Sequence, residues 1–287
     1  MADSLAAIRE ELSLANRMLA HEGIVDAFGH ISVRHPTDPG RFLISRHRAP
    51  QLVAPEDILE YTLDTEPVHP TTFRHYGERV IHGCIYQARP DVMAVCHHHA
   101  PSMMPYAISR AAMSPVYHLG ASMGVRVPYW DSRDDFGSTA LVLVKPEEGR
   151  SLAKALGQGW MILMGRHGAT AAGTSIRECV FRTIFSCKNA ELQTQARLLG
   201  HVEPLDEKEV ELAAAYNLRP GPLERAWDYW ARRVHDAEAM VAAGTAARAK
   251  PTQARAAKAA KPAKKAAKTA SKKTSKKPVA KAKKRKR

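Results

Sequence analysis

Apolar positions along the chain recur with two different periods, and the switches between them mark the elements. Leu5, Ile8, Leu12, Ala15 and Leu19 return every three or four residues and predict an amphipathic helix over 4–21, which Gly23 ends. Residues 28–34 and 41–45 are short β-rich runs around a turn containing Pro36, Asp38, Pro39 and Gly40, and predict two strands. Residues 56–61 predict a helical turn leading into a further strand. Phe73, Val80, Ile81, Cys84 and Ile85 keep helical spacing across 72–86. The run 92–96 lacks that spacing and predicts a buried strand, as does 159–168. Between them the pattern predicts a helix over 102–110, a short strand over 125–128 and a helix over 149–156. Ser175 and Glu178 form a capping-box pair that opens a long helix reaching about residue 199. A final helix over 223–240 carries Trp227 and Trp230. Core packing is the simpler role for these rings, and covering a neighbouring subunit's site is the other. Helices alternating with short strands predict packed α/β layers.

Charge divides the chain in two. The formal net charge is +14, yet 18 of the 43 Lys/Arg and none of the 29 Asp/Glu lie from Val241 onward. That leaves 25 basic against 29 acidic residues before it, a net of −4. The expected organisation is a domain over 1–240 and a disordered Lys/Ala-rich tail over 241–287, whose composition cannot bury enough apolar surface to offset ordering. Its Ala-Lys-Lys and Ser-Lys-Lys units resemble linker-histone tails, so it is expected either to bind nucleic acid through phosphates or to remain a solvated tail. Cys84, Cys96, Cys179 and Cys187 show no CxxC spacing, sit in or beside apolar stretches and read as buried free thiols in a reducing compartment. Arg9, Glu10, Glu11 and Arg17 break any signal-peptide design, and no run approaches the ~20 apolar residues of a membrane span. The expected location is the cytoplasm, away from membranes.

The chemistry concentrates at Val95-Cys96-His97-His98-His99-Ala100-Pro101. In a strand His97 and His99 share a face and His98 opposes them, so two imidazoles can reach one divalent cation. His167 ends the second buried strand and offers a third nitrogen, with Gly168 allowing the backbone to turn away. His-x-His spacing alone is weakly specific and also occurs on solvated surfaces. The helix upstream adds weight, because it carries Glu78 and His82 four residues apart on one side. A carboxylate delivered to a three-histidine metal serves as fourth ligand, general acid/base, or both.

Glu78-Arg79-Val80-Ile81-His82, then Arg89-Pro90-Asp91 through His97-His98-His99-Ala100, then Arg166-His167-Gly168, resemble the class II aldolase/adducin family over about residues 4–231. Gly29-His30-Ile31-Ser32-Val33-Arg34, Val127-Pro128 and Phe136-Gly137 fit the same pattern. The resemblance implies a three-layer α/β/α fold with a central, mainly antiparallel sheet, and a tetramer with sites between subunits. It assigns His97, His99 and His167 to the metal and Glu78 to acid/base catalysis. Imidazole donors admit zinc or manganese foremost, and iron or cobalt as well.

The substrate loops depart from the sugar-phosphate aldolases of that family. Gly29-His30-Ile31-Ser32 replaces Gly-Asn-x-Ser, Ile44-Ser45-Arg46-His47-Arg48-Ala49-Pro50 replaces Thr-Pro-Ser-Gly, and Tyr76-Gly77 replaces a Ser-Ser pair. Small donors suit a phosphate dianion. His30, Ser45, Arg46, Arg48 and Tyr76 instead suit a flat carboxylated or phenolic ring, although an exposed basic loop is the plainer role for the two arginines. These loops look like the branch that decarboxylates hydroxylated pyridine or benzene carboxylates. There a divalent ion holds the enolate left by the departing CO₂, and Glu78 would protonate the ring carbon. The other expectations are an aldolase acting on a hydroxy-keto acid or sugar derivative, an iron-dependent oxygenase at the same site, and a non-enzymatic protein acting through its tail.

Overall fold

The computed structural model describes residues 2–249, and Met1–Ala239 form one compact unit. Its sheet has seven strands: β1 (His30–Arg34), β2 (Arg41–Ser45), β3 (Ile58–Thr62), β4 (Ala94–His98), β5 (Tyr129–Trp130), β6 (Met161–Met164) and β7 (Gly168–Gly173). Their spatial order is β3-β2-β1-β4-β7-β6-β5, and every pairing is antiparallel except β5 with β6. This is the mainly antiparallel α/β sheet that the resemblance implied.

Alternation along the strands sorts side chains into two cores. Ile31, Ala94, Cys96, Ala169 and Ala171 share one apolar cluster with residues of α1 (Ala2–His21) and α6 (Ile176–Leu199). Val95, Ile162, Met164 and Ala172 share the other with residues of α2 (Arg79–Ala88) and α5 (Pro146–Leu156). His97 has the parity of Val95, so it faces the α2 layer, whereas His98 has the parity of Cys96 and faces away. The helices α3 (Met104–Ser109), α4 (Ser132–Phe136), α7 (Glu207–Asn217) and α8 (Pro220–Ala249) complete the described residues. Among these residues no helix is long and apolar enough to cross a membrane. The four cysteines are buried free thiols.

Several elements differ from the sequence pattern. The helix expected over 72–86 begins only at Arg79, and Phe73 is exposed and lies under the Arg46 guanidinium, 4.7 Å from its ring centre. Its apolar spacing to Val80 was a coincidence of a loop platform and a helix face. β1 starts at His30, because Gly29 takes a positive φ of 94° that breaks the extended run. The strand expected at 125–128 is displaced to Tyr129–Trp130, just beyond Pro128, which has no N–H for a ladder. The segment 159–168 is not one strand: it ends at Met164, turns, and returns as β7. β7 reads Gly-Ala-Thr-Ala-Ala-Gly, small residues with little intrinsic strand preference, and its state is imposed by pairing on both sides. Gly168 therefore opens a strand rather than turning the chain away. Ser175 caps α6 by accepting from the Glu178 N–H at 3.1 Å, but the Glu178 carboxylate goes to Thr174 and Arg182, so the box is only half formed. α4 and α7 were not anticipated. Trp227 and Trp230 are buried, and Trp230 packs against Phe181 and Phe185.

Candidate metal centre

Glu78 is the residue immediately before α2, and its side chain makes no capping bond to that helix. Oε1 accepts from the Leu143 N–H at 3.4 Å, and both carboxylate oxygens face the histidines of the sheet below. Oε1 lies 3.2 Å from His167 Nε2, and Oε2 lies 3.7 Å from His97 Nε2. His97 Nε2 and His99 Nε2 are 3.0 Å apart with their rings nearly perpendicular. One ligand atom from each of Glu78, His97, His99 and His167 falls within 4.8 Å of the others. Ligands about 2.1 Å from a tetrahedral ion stand about 3.4 Å apart, so this donor set is sized for one cation.

The imidazoles are aimed by outer contacts. Thr170 donates to the Met164 sulfur at 3.3 Å, so its oxygen accepts from His97 Nδ1–H at 3.2 Å. That bond leaves the His97 Nε2 lone pair directed into the cluster. His167 sits in the turn between β6 and β7, where Arg166 takes a φ of +58°. Asp131, buried at the end of β5, clamps that turn through Arg166 and accepts from Arg110 at 2.6 Å. The Arg166 N–H also donates to the Ala107 carbonyl at 2.9 Å. Hydrogen bonding from Arg166 pulls the Asp131 carboxyl below the ordinary range despite burial. Gly168 is needed for close approach: a Cβ there would stand 2.3 Å from the His98 carbonyl oxygen and 2.9 Å from the His99 ring.

Electrostatics favour the ligand-competent forms. Burial holds His97 neutral, well below its ordinary value, and lowers His99 in the same way. Burial alone would raise Glu78, but His97, His167 and His30 facing it hold its carboxyl below the usual range. His98 points away, as its parity requires. It is fully buried, accepts from the Ala100 N–H at 3.3 Å, and burial pushes it down to about 3.

The remaining expected residues surround this cluster. His30 Nε2 is 3.9 Å from Glu78, and its ring centre is 4.6 Å from Tyr76 and 5.3 Å from His97. The Tyr76 hydroxyl accepts from Ser45 Oγ and the Arg48 N–H, each at 3.3 Å, and donates to the Arg48 carbonyl. Arg46 and Arg48 do not stand free. Both converge on buried Asp57, at 2.6 and 3.3 Å. His82, expected beside Glu78 on the helix, turns instead to His30 and Ser32. Sequence reading missed Asp57, Thr170 and Asp131. Only Asp57 carried a signal, as one of two adjacent acids, with Glu56, on the turn before β3.

The family model for the class II aldolase and adducin N-terminal domain matches residues 10–194. The decarboxylase tropJ of Talaromyces stipitatus is 32% identical over 241 residues, spanning 76% of this chain and 90% of that protein. A 3,4-dihydroxyphthalate decarboxylase of Arthrobacter keyseri is 28% identical over 211 residues, spanning 68% of this chain and 81% of the relative. Among solved structures, the L-fuculose 1-phosphate aldolase of Glaciozyma antarctica PI12 superposes with a TM-score of 0.68 at 20% identity, over 83% of this chain and 92% of that one. With the fold, the ordered motifs and the domain match in agreement, the chain belongs to the class II aldolase/adducin family.

Proposed function

We propose that this chain is a divalent-metal-dependent decarboxylase of a hydroxylated aromatic or pyridine carboxylate. The convergence of Glu78 with three histidines on one cation-sized point carries the reading. The lyase class follows from the family and from the decarboxylases it resembles across most of their length. The choice of an aromatic substrate is supported by the rings of His30, Tyr76 and His47, which lie 4.6 and 5.4 Å apart in succession beside Glu78.

In this reading His97, His99 and His167 hold the ion, and Glu78 either completes its shell or stays beside it. When bound, the ion supplies Lewis-acid stabilisation of negative charge on substrate oxygen. The ionised Glu78 accepts the proton of the incoming ring hydroxyl and returns it to the ring carbon that loses CO₂, so the proton count balances. Arg46 and Arg48 share one carboxylate, that of Asp57, and so keep one net positive charge for a substrate carboxylate. Ser45 supports that wall through Tyr76. Zinc or manganese is the expected ion, and a homotetramer the expected assembly.

A panel of ortho-hydroxylated benzene and pyridine dicarboxylates, assayed in parallel for CO₂ and for aldehyde release, tests the proposal. Metal-dependent CO₂ release without aldehyde is the expected result. Aldehyde release from hydroxy-keto acids or sugar derivatives would move the chain to the aldolase reading, and strict O₂ dependence to an oxygenase.

A further inference from the structure

Behind His30 runs a line of buried polar groups that metal ligation does not explain. His30 Nδ1 lies 2.7 Å from His82 Nε2, His82 Nδ1 lies 2.6 Å from Ser32 Oγ, and Ser32 Oγ lies 2.7 Å from the Tyr86 hydroxyl. Two spacings build it. His30 and Ser32 are two apart on β1 and share its α2-facing side, and His82 and Tyr86 are four apart on α2. Phe42 stacks on the His82 ring at an interplanar angle of 8° and limits its rotation. All four polar residues are buried, with His30 the most accessible at 3%.

Hydrogen-bond satisfaction gives this line one direction. The Val95 backbone can only donate to the Tyr86 hydroxyl, so Ser32 Oγ at 2.7 Å is its acceptor among the described residues, and buried protons need acceptors. The phenol proton therefore goes to Ser32, and burial keeps it on oxygen by raising the Tyr86 pKa. Ser32 must then give its own proton to His82 Nδ1. Burial holds His82 neutral, so its one proton sits on Nε2 and is donated to His30 Nδ1. His30 is left with its proton on Nε2, the nitrogen that faces Glu78 at 3.9 Å.

We infer that Tyr86, Ser32 and His82 are positioning residues that hold His30 Nδ1 as an acceptor and so place its ring proton on Nε2, a fixed donor at the rim of the metal centre. Such a donor meets anionic oxygen, of Glu78 in the resting protein and of a carboxylate or phenolate when substrate is present. The opposite tautomer would set a lone pair against the Glu78 carboxylate. The tautomer follows from the hydrogen-bond geometry and the burial of the line, and only its effect on turnover rests on the decarboxylase reading.

Imidazole ¹⁵N NMR on the zinc-loaded full chain, labelled at histidine and assigned with His30→Asn, reads the tautomer directly. His30 is expected to show a protonated Nε2 and a lone-pair Nδ1. Ser32→Ala removes the donor to His82, so His30 should become a mixture of tautomers, and Tyr86→Phe should do the same more weakly. Zinc content should stay stoichiometric in both variants while CO₂ release falls about ten- to a hundred-fold, the usual cost of losing an outer partner. A proton on His30 Nδ1 in the parent protein, or an unchanged His30 spectrum in Ser32→Ala, overturns the inference. If no substrate on the panel releases CO₂ but the tautomer is as expected, the functional reading fails and this inference stands.

Discussion

The histidine cluster and the arginine loop both gather ionisable side chains, but the protein treats them in opposite ways. At the cluster, three imidazole nitrogens and a carboxylate are turned toward one another, and their outer contacts aim them inward. At the loop, Arg46 and Arg48 are already answered by Asp57, a carboxylate that the chain supplies itself. Groups held facing one another against burial and repulsion call for a ligand from outside. Groups that satisfy each other need one only for their residual charge. The first arrangement points to chemistry, the second to orientation.

The largest effect should come from breaking the cluster. His97→Ala or His99→Ala is expected to remove stoichiometric metal, read by elemental analysis, and to abolish CO₂ release. Metal retained at full content in either variant would place the site elsewhere. Glu78→Gln keeps the shape but not the base. Turnover should fall about 10²- to 10⁴-fold, the usual worth of a general acid/base, in single-turnover assays of metal-loaded protein.

Loosening the clamp behind His167 should cost less. Asp131→Asn leaves Arg166 without its charged partner and Arg110 with only Asp134 at 3.9 Å, and metal affinity measured by competition with a chelator should weaken about ten- to a hundred-fold. Wild-type affinity in this variant would mean that the turn holds itself. On the loop, Arg46→Ala should raise KM with kcat nearly unchanged, because an orienting contact is shared by ground and transition states. A loss confined to kcat would put Arg46 in the chemistry.

The smallest expected effects separate the site from its surroundings. Burial lowers His98 from 6.5 to about 3, so in the metal-free protein it gains a proton only on unfolding. Its folded value is depressed, so stability is complete above pH 6.5 and declines as pH falls toward 3. The slope reaches about 1.4 kcal/mol per pH unit for each such proton. Denaturant unfolding of His98→Asn between pH 6.5 and 4.5 should show a shallower slope than the parent. The basic tail from Val241, most of which lies outside the described residues, should hardly matter to turnover. If the tail binds nucleic acid, its removal should abolish retention on duplex DNA, and that retention should weaken with salt at a log–log slope of about −0.9 per phosphate neutralised.

The sequence by itself determined the elements with strong periodicity and the family to which the chain belongs. α1, β2 and α6 were legible because their apolar spacing and caps are local properties. His97 and His99 could be paired because strand alternation fixes which side chains share a face. Their meeting with Glu78 and His167 needed the fold, since β4, the β6–β7 turn and the start of α2 are far apart in the chain. β7 was invisible because six small residues carry no pattern of their own and become a strand only between β4 and β6. Asp57, Asp131, Thr170 and the His82–Ser32–Tyr86 line act through hydrogen bonds whose partners are chosen by packing. Periodicity reports which face of an element is buried. What that face touches is decided only when the layers close, because a hydrogen bond depends on distances between elements that no local pattern encodes.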